Sequence, residues 1–221
     1  MNVLIIGASR GIGFEFVRQY RAAGARITAT ARDVAGLDQL RQHGARALKL
    51  DVADADSASG LALLIDGERF DVVVINAGVY GPATTGLETP TEADFNAVMH
   101  TNVLGPMRLL PQIAQALAPG ARVAILSSQM GSIALRGETR GWLYAASKAA
   151  VNSVMKDASL ALAGKATVIS FHPGWVRTDM GGAGADIDAT TSIAGMRTVL
   201  ASVKPGDTGG FFNYDGRRLA W

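Results

Sequence analysis

Four consecutive large apolar residues, Val3-Leu4-Ile5-Ile6, break directly into Gly7-Ala8-Ser9-Arg10-Gly11-Ile12-Gly13, and a helix-like segment follows to about Ala23. An unbroken apolar run, rather than an alternating one, is the pattern of a strand buried on both faces. Glycine lets the chain turn sharply and lets a diphosphate approach the backbone closely. The helix that opens there offers unpaired amides to negative oxygens. The spacing is not GxGxxG. It also lacks the Gly-Lys-Ser/Thr ending of a nucleoside-triphosphate loop, which argues against triphosphate hydrolysis. A bare strand-to-helix turn remains the competing reading of this stretch.

The same unit recurs along the chain. Ile27 to Thr30, Ala47 to Leu50, Val72 to Ile75, Val123 to Leu126, Val168 to Phe171 and Gly210 to Asn213 read as further strands. Between them lie helical segments at Val34–Gln42, Ala58–Ile65, Glu92 to about Leu117 and Tyr144 to Leu162, with Pro106 and Pro111 positioned to bend the third. Apolar strands alternating with helices predict an α/β fold, a doubly wound Rossmann-type three-layer sandwich with a seven-stranded, mostly parallel sheet. Nothing in the composition shifts along the chain, so residues 1–221 read as one domain. The glycine-rich stretch Gly181 to Asp188 reads as a mobile loop near the site.

Composition excludes several classes of function. Lys plus Arg number 21 against 19 Asp plus Glu, a formal charge of +2 with no basic block longer than Arg217-Arg218, so nucleic-acid binding is not motivated. No cysteine is present, which removes disulfides, thiolate nucleophiles and cysteine-held metals. His43, His100 and His172 lack metal-ligand spacing, and no metal is assigned. The first residues carry no basic leader and no apolar run reaches membrane-spanning length, so the expectation is a cytoplasmic protein without a membrane span.

The second strand ends at Ala31, followed by Arg32 and Asp33. Arg10 and Arg32 are placed to face a ribose 2′-phosphate, where a guanidinium fork forms charge-assisted bonds, and this favours NADP. A strand one residue longer would bring Asp33 to the ribose instead and make NAD the alternative. Two solvent-facing arginines are the plain structural reading.

Further along, Asn76-Ala77-Gly78 follows the fourth strand, Asn102 lies in a long helix and Ser127-Ser128 follows the fifth strand. Tyr144-Ala145-Ala146-Ser147-Lys148 opens a helix, and Pro173-Gly174-Trp175-Val176-Arg177-Thr178 follows the sixth strand. With Gly7 to Gly13, and in this order, these segments resemble the classical short-chain dehydrogenase/reductase family over essentially the whole chain. Ser127 to Ser132 and the compact C-terminus resemble its C-factor-like reductases.

The resemblance implies Tyr144 as acid/base, Lys148 as its partner, Ser128 as the carbonyl-orienting hydroxyl and Asn102 as a relay residue holding a water. It implies a dinucleotide site at Gly7, Ser9, Arg10, Gly11, Ile12, Gly13 and Arg32. Asp51 and Val52 would meet the adenine, and Asn76, Ala77 and Gly78 the adenosine ribose. Tyr144 and Lys148 would also meet the nicotinamide end, with Pro173, Gly174, Val176 and Thr178 around the carboxamide.

The chemistry stands on its own terms. An ammonium one helical turn from a phenol favours the phenolate, and such a phenol passes a proton to or from a carbonyl oxygen. Taken singly, Tyr144 reads more readily as a helix-start residue packed by Trp142, Lys148 as a surface lysine, Asn102 as a cap or backbone-bonding residue and Ser128 as a turn former, and Asp51 reads also as a turn residue. Ser128 lies 16 residues before Tyr144, the extra residues falling in Leu135 to Arg140, and Ser132 is its rival.

The expected function is NADP(H)-dependent hydride transfer to or from a small carbonyl or alcohol substrate. A dinucleotide-binding regulatory protein of the same fold, with little turnover, is the alternative. Tyr80, Met130, Trp142, Leu143 and Trp175 are candidates for an apolar substrate pocket, or equally for core packing. A homodimer or homotetramer through Glu92–Leu117 and Tyr144–Leu162, or a monomer, are all compatible with the sequence.

Overall fold

The computed structural model describes residues 1–221. A seven-stranded sheet in the order β3-β2-β1-β4-β5-β6-β7 forms its middle layer, and all six strand pairings are parallel. The chain runs through β1 (Asn2–Ile6), α1 (Gly11–Ala22), β2 (Arg26–Ala31), α2 (Val34–Gln42) and β3 (Arg46–Lys49). It continues through α3 (Ala55–Ser59), α4 (Leu61–Leu64), β4 (Phe70–Ile75), α5 (Glu92–Met99) and α6 (Gly105–Ile113). The last elements are β5 (Leu117–Leu126), α7 (Trp142–Ala161), β6 (Ala166–His172), α8 (Ala189–Ser202) and β7 (Gly210–Asn213).

Successive strand residues face opposite sides of the sheet, and both sides are covered. Val3 and Ile5 join a cluster of 25 buried residues beneath α1, α2 and α8. Leu4 and Ile6 join one of 24 beneath α3, α4, α6 and α7. Two clusters of nearly equal size explain why the central strands carry no polar face. The strand order reverses between β1 and β4, so a crevice opens at their C-terminal ends, where ligands bind in folds of this kind.

Four elements differ from the sequence reading, and one of them, α8, was not anticipated between the sixth and seventh strands. The helix expected over Ala58–Ile65 is divided at Gly60 into α3 and α4. The long helix expected from Glu92 breaks into α5, a π-turn at His100–Leu104, α6 and a short 3-10 turn, while Pro111 stays inside α6. Pro106 lacks the N–H that a regular α-turn would direct at the Asn102 carbonyl, and the wider turn forms just ahead of it. β5 begins at Leu117 rather than Val123, with its register to β4 shifted where Pro119 and Gly120 interrupt the ladder.

Several helices are capped by side chains, and the two that open on the crevice are not. The carboxylates of Asp33, Asp54 and Asp188 and the hydroxyl of Thr91 cap α2, α3, α8 and α5. α1 and α7 begin at Arg10 and Gly141 with no side-chain cap, so their first amides remain available.

Candidate active site

Gly7 leaves β1 at φ +81°, and a Cβ there would meet Ala77 at 2.8 Å. A Cβ on Gly13 would lie 2.2 Å from the Gly7 carbonyl and 2.6 Å from the Asn76 amide nitrogen. The Asn76 side chain donates to the Gly7 carbonyl at 2.5 Å, tying the β4 end to the turn. Gly7, Ser9, Arg10, Gly11 and Ile12 line a cavity of about 200 Å³, whereas Gly13 does not and instead lets α1 seat against the turn. This is a glycine-lined cradle facing the uncapped start of α1, and a side chain at Gly7 or Gly13 would force the turn that shapes it apart. The cradle fits a diphosphate.

Asp51, Val52, Asn76, Ala77 and Gly78 continue the same cavity, with Lys148, Tyr144, Pro173 and Thr178 at its inner end. Asp51 also accepts from Ala53 N at 3.0 Å, so the turn role and the cavity position coexist. Arg32 lines the cavity beyond β2 and Asp33 does not. The Asp33 carboxylate accepts from Gly36 N at 2.7 Å and is committed to capping α2. Arg10 stands at the rim, paired with Asp179 at 2.6 Å, and both side chains are more than two-thirds exposed. Gly174 and Val176 line a second cleft rather than this cavity.

That second cleft, about 660 Å³, adjoins the first through Tyr144, Ser127, Pro173 and Thr178. α7 carries Tyr144 and Lys148 to the junction on one buried face, and its close approach depends on Gly131. A Cβ on Gly131 would lie 2.7–2.9 Å from Lys148 backbone and Cβ atoms. Lys148 Nζ donates to the Leu126 carbonyl at 2.8 Å and sits 5.5 Å from the centre of the Tyr144 ring. The Ser127 hydroxyl donates to the Lys148 carbonyl at 3.3 Å.

The expected lowering of the Tyr144 pKa by Lys148 is not found in the protein's own atoms. Burial dominates and pushes the phenol well above its ordinary value, the hydrogen-bonding Ser128 hydroxyl opposes this, and Tyr80 adds to the rise. The same burial pushes Lys148 down to about 8. With the lysine nitrogen turned to the Leu126 carbonyl, its charge does not offset the desolvation of a phenolate.

Ser128 and Ser132 are separated cleanly. Ser128 lines the second cleft beside Tyr144 and accepts from Met130 N at 3.2 Å. Ser132 is fully buried, donating to the Ala220 carbonyl at 2.7 Å and accepting from Leu135 N at 3.1 Å. Leu135 to Arg140, which carries the extra residues, forms part of the cleft mouth.

Asn102 reaches neither space. Its amide accepts from Val79 N and donates to the Val79 carbonyl, both at 2.8 Å, and donates to Ser147 at 2.9 Å. The side chain therefore clamps the strand-end loop to α7, with both amide hydrogens committed. Thr101, its neighbour, lines the cavity instead.

Tyr80, Met130 and Trp175 line the second cleft; Trp142 and Leu143 do not. The Trp142 indole donates to the Glu88 carbonyl at 3.0 Å, and Leu143 is buried. The Tyr80 ring lies 4.7 Å from that of Tyr144, tilted by 31°.

Met180, Ile187 and Tyr214 also line the cleft, unmarked by any motif. The stretch read as a mobile loop is tied down. Val176 bridges Ile187, Arg177 N donates to the Ile187 carbonyl at 2.8 Å and the Trp175 indole donates to the Gly181 carbonyl at 2.9 Å.

A doubly wound sheet whose switch-point crevice holds a glycine cradle, beside a buried Tyr-Lys pair, defines a class of dinucleotide-dependent domain. This chain belongs to the short chain dehydrogenase family, whose model matches residues 1–186. Among curated proteins it is 38% identical over 154 residues to C-signal of Myxococcus xanthus, covering 68% of this chain and 92% of that one. Among solved structures, a carbonyl reductase from Pseudomonas aeruginosa PAO1 in complex with NADP superposes with a TM-score of 0.88 at 32% identity, over 100% of this chain and 99% of that one. The carbonyl reductase Sniffer of Drosophila melanogaster gives a TM-score of 0.88 at 28% identity, with the same coverage.

Proposed function

We propose that this protein is an NADP(H)-dependent reductase of small carbonyl compounds, running in reverse on the corresponding alcohols. The observation that carries the reading is the junction itself. A buried phenol with a hydroxyl partner, Ser128, stands where the glycine-lined cavity meets a separate cleft large enough for a small organic molecule. Likeness to an NADP-bound carbonyl reductase supports the cofactor and the substrate class.

When bound, the nicotinamide cofactor supplies the hydride. The chain's residues handle position and protons. The amides opening α1 and the Gly7 to Ile12 turn receive the diphosphate, and Arg32 receives the 2′-phosphate. Ser128 directs its hydroxyl at the substrate oxygen and stabilises charge developing there. Tyr144, held protonated by burial, donates its phenolic proton to that oxygen as the carbonyl carbon is reduced. Lys148, with its ammonium weakened by burial, is the group from which the phenolate can recover a proton. Asn102 positions Val79 and α7.

The test is Tyr144→Phe. NADPH-dependent carbonyl reduction should fall by about 10²-fold or more while the dissociation constant for NADPH stays within about twofold. Activity retained in that variant would remove Tyr144 from the mechanism.

A further inference from the structure

His172 is the one imidazole in the substrate cleft, and no step above uses it. It closes β6 directly opposite Asn213 of β7, in the cleft that also holds Tyr144 and Ser128. Its Nδ1 is buried without a hydrogen-bond partner in the protein. Nε2 has no hydrogen-bond partner in the protein either and, unlike Nδ1, is not sealed from solvent, which makes it the ring atom open to the cleft that His172 lines. Burial above all, and then the Arg217 guanidinium, push the imidazole down to about 4 against the opposing pull of Asp215. The ring is therefore neutral at physiological pH and carries a single N–H.

Where that hydrogen sits follows from the two environments. At Nδ1 it would be an orphaned buried donor, and buried donors are left unmatched less readily than acceptors. At Nε2 it faces the cleft. Tyr80, Met130 and Trp175 supply apolar wall in a cleft that also carries polar side chains such as Gln129, Arg136 and Asn213, and an N–H held in place at the end of β6 is a fixed directional feature among them.

We propose that His172 is a substrate-reading residue: its Nε2–H donates to a second oxygen of the substrate, selecting compounds with a carbonyl or hydroxyl near the reacting carbonyl over monofunctional ketones. The inference rests on the carbonyl-reductase reading. A site built to bond a second oxygen discriminates strongly against substrates that lack one, because the donor is then left without its partner.

The experiment compares NADPH-dependent reduction of 2,3-butanedione and 2-butanone by the wild type, His172→Leu and His172→Asn. The dione accepts one hydride and one proton to become 3-hydroxy-2-butanone, and the ketone becomes 2-butanol. His172→Leu should lower kcat/KM for the dione at least about tenfold more than for the ketone. His172→Asn, which keeps a donor on a shorter side chain, should recover part of that difference. Equal losses on both substrates, or no loss on either, would overturn the proposal.

A binding measurement separates this inference from the activity on which it rests. The chain has three histidines, so the His172 imidazole resonances can be assigned by their disappearance in His172→Leu. Titrating 2,3-butanedione into the wild-type protein with NADP+ should shift the His172 signals and leave those of His43 and His100 in place. Absence of that shift would refute the contact even where turnover is seen. A selective shift without turnover of either compound would uphold it and sink the reductase reading instead.

Discussion

Arg32 and Asp33 are neighbours whose functions part completely. Arg32 borders the cofactor cavity, while the Asp33 carboxylate is held by Gly36 N at the start of α2. Coenzyme choice should follow this division. Arg32→Ala is expected to weaken NADPH binding about 10- to 100-fold, the loss of charge-assisted bonds to a phosphate, and to leave NADH binding nearly unchanged. Asp33→Ala should instead cost about 1 kcal/mol of stability through the lost cap, with no change in coenzyme preference. Fluorescence titration with both coenzymes and a denaturant melt of each variant separate the two. A preference switch in Asp33→Ala would show that the carboxylate reads the ribose. Sequence alone left this pair ambiguous, because one residue of strand length decides which side chain faces the cavity.

At the scale of the element, α7 is the helix whose placement the chemistry depends on. It carries Tyr144 and Lys148 four residues apart on one buried face, and the absence of a side chain at Gly131 lets it approach the end of β5. Gly131→Ala would drive a methyl to within 3 Å of the Lys148 backbone and force the helix outward. We expect a loss of roughly 1–3 kcal/mol in stability. A drop of up to about 10²-fold in kcat/KM should accompany it, since displacing catalytic groups by about 1 Å is enough for that. Gly206→Ala, where a Cβ meets nothing within 4 Å and which lies away from both cavities, is the matched control and should be neutral in both assays. Wild-type turnover in Gly131→Ala would mean that α7 tolerates displacement. The YxxxK spacing made this face legible in advance. The π-turn that carries Asn102 was not legible, because Pro106 could equally have produced a kink or a break.

Across the whole molecule, the site is held at the expense of stability. Lys148 is buried, and its pKa falls from 10.5 to about 8. Below pH 8 it is charged in both folded and unfolded states, and burying that charge costs about 3 kcal/mol. Between about pH 8 and 10.5 the folded form releases its proton first. The unfolded state then binds more protons, and this group's contribution to stability rises with pH. Lys148→Met should therefore be more stable than the wild type at pH 7, with the difference shrinking toward pH 10, while losing reductase activity. Denaturant unfolding at pH 7 and pH 10 reads this directly. A stability difference that does not change with pH would place the cost elsewhere. Tyr20 and Tyr144, both raised by burial, add the opposite trend to wild type and variant alike above pH 10.

By itself the sequence determined the layers and the ends of the crevice. Apolar runs such as Val3 to Ile6 and Val72 to Ile75 must be covered on both faces. A glycine turn must bring the backbone close to something, and a Tyr-Lys pair at helical spacing must share a face. These are consequences of local periodicity and backbone sterics. Only the tertiary structure decided which side chains meet. It turned Lys148 to the Leu126 carbonyl, spent the Asn102 amide on Val79 and Ser147, and tied Ser132 to Ala220 rather than to the site. It also brought His172 and Tyr214 from the far end of the sheet to the cleft that Tyr80 and Trp175 wall. Such contacts join residues far apart in the chain, and their geometry depends on how the packed layers sit against one another, which no stretch of local sequence encodes.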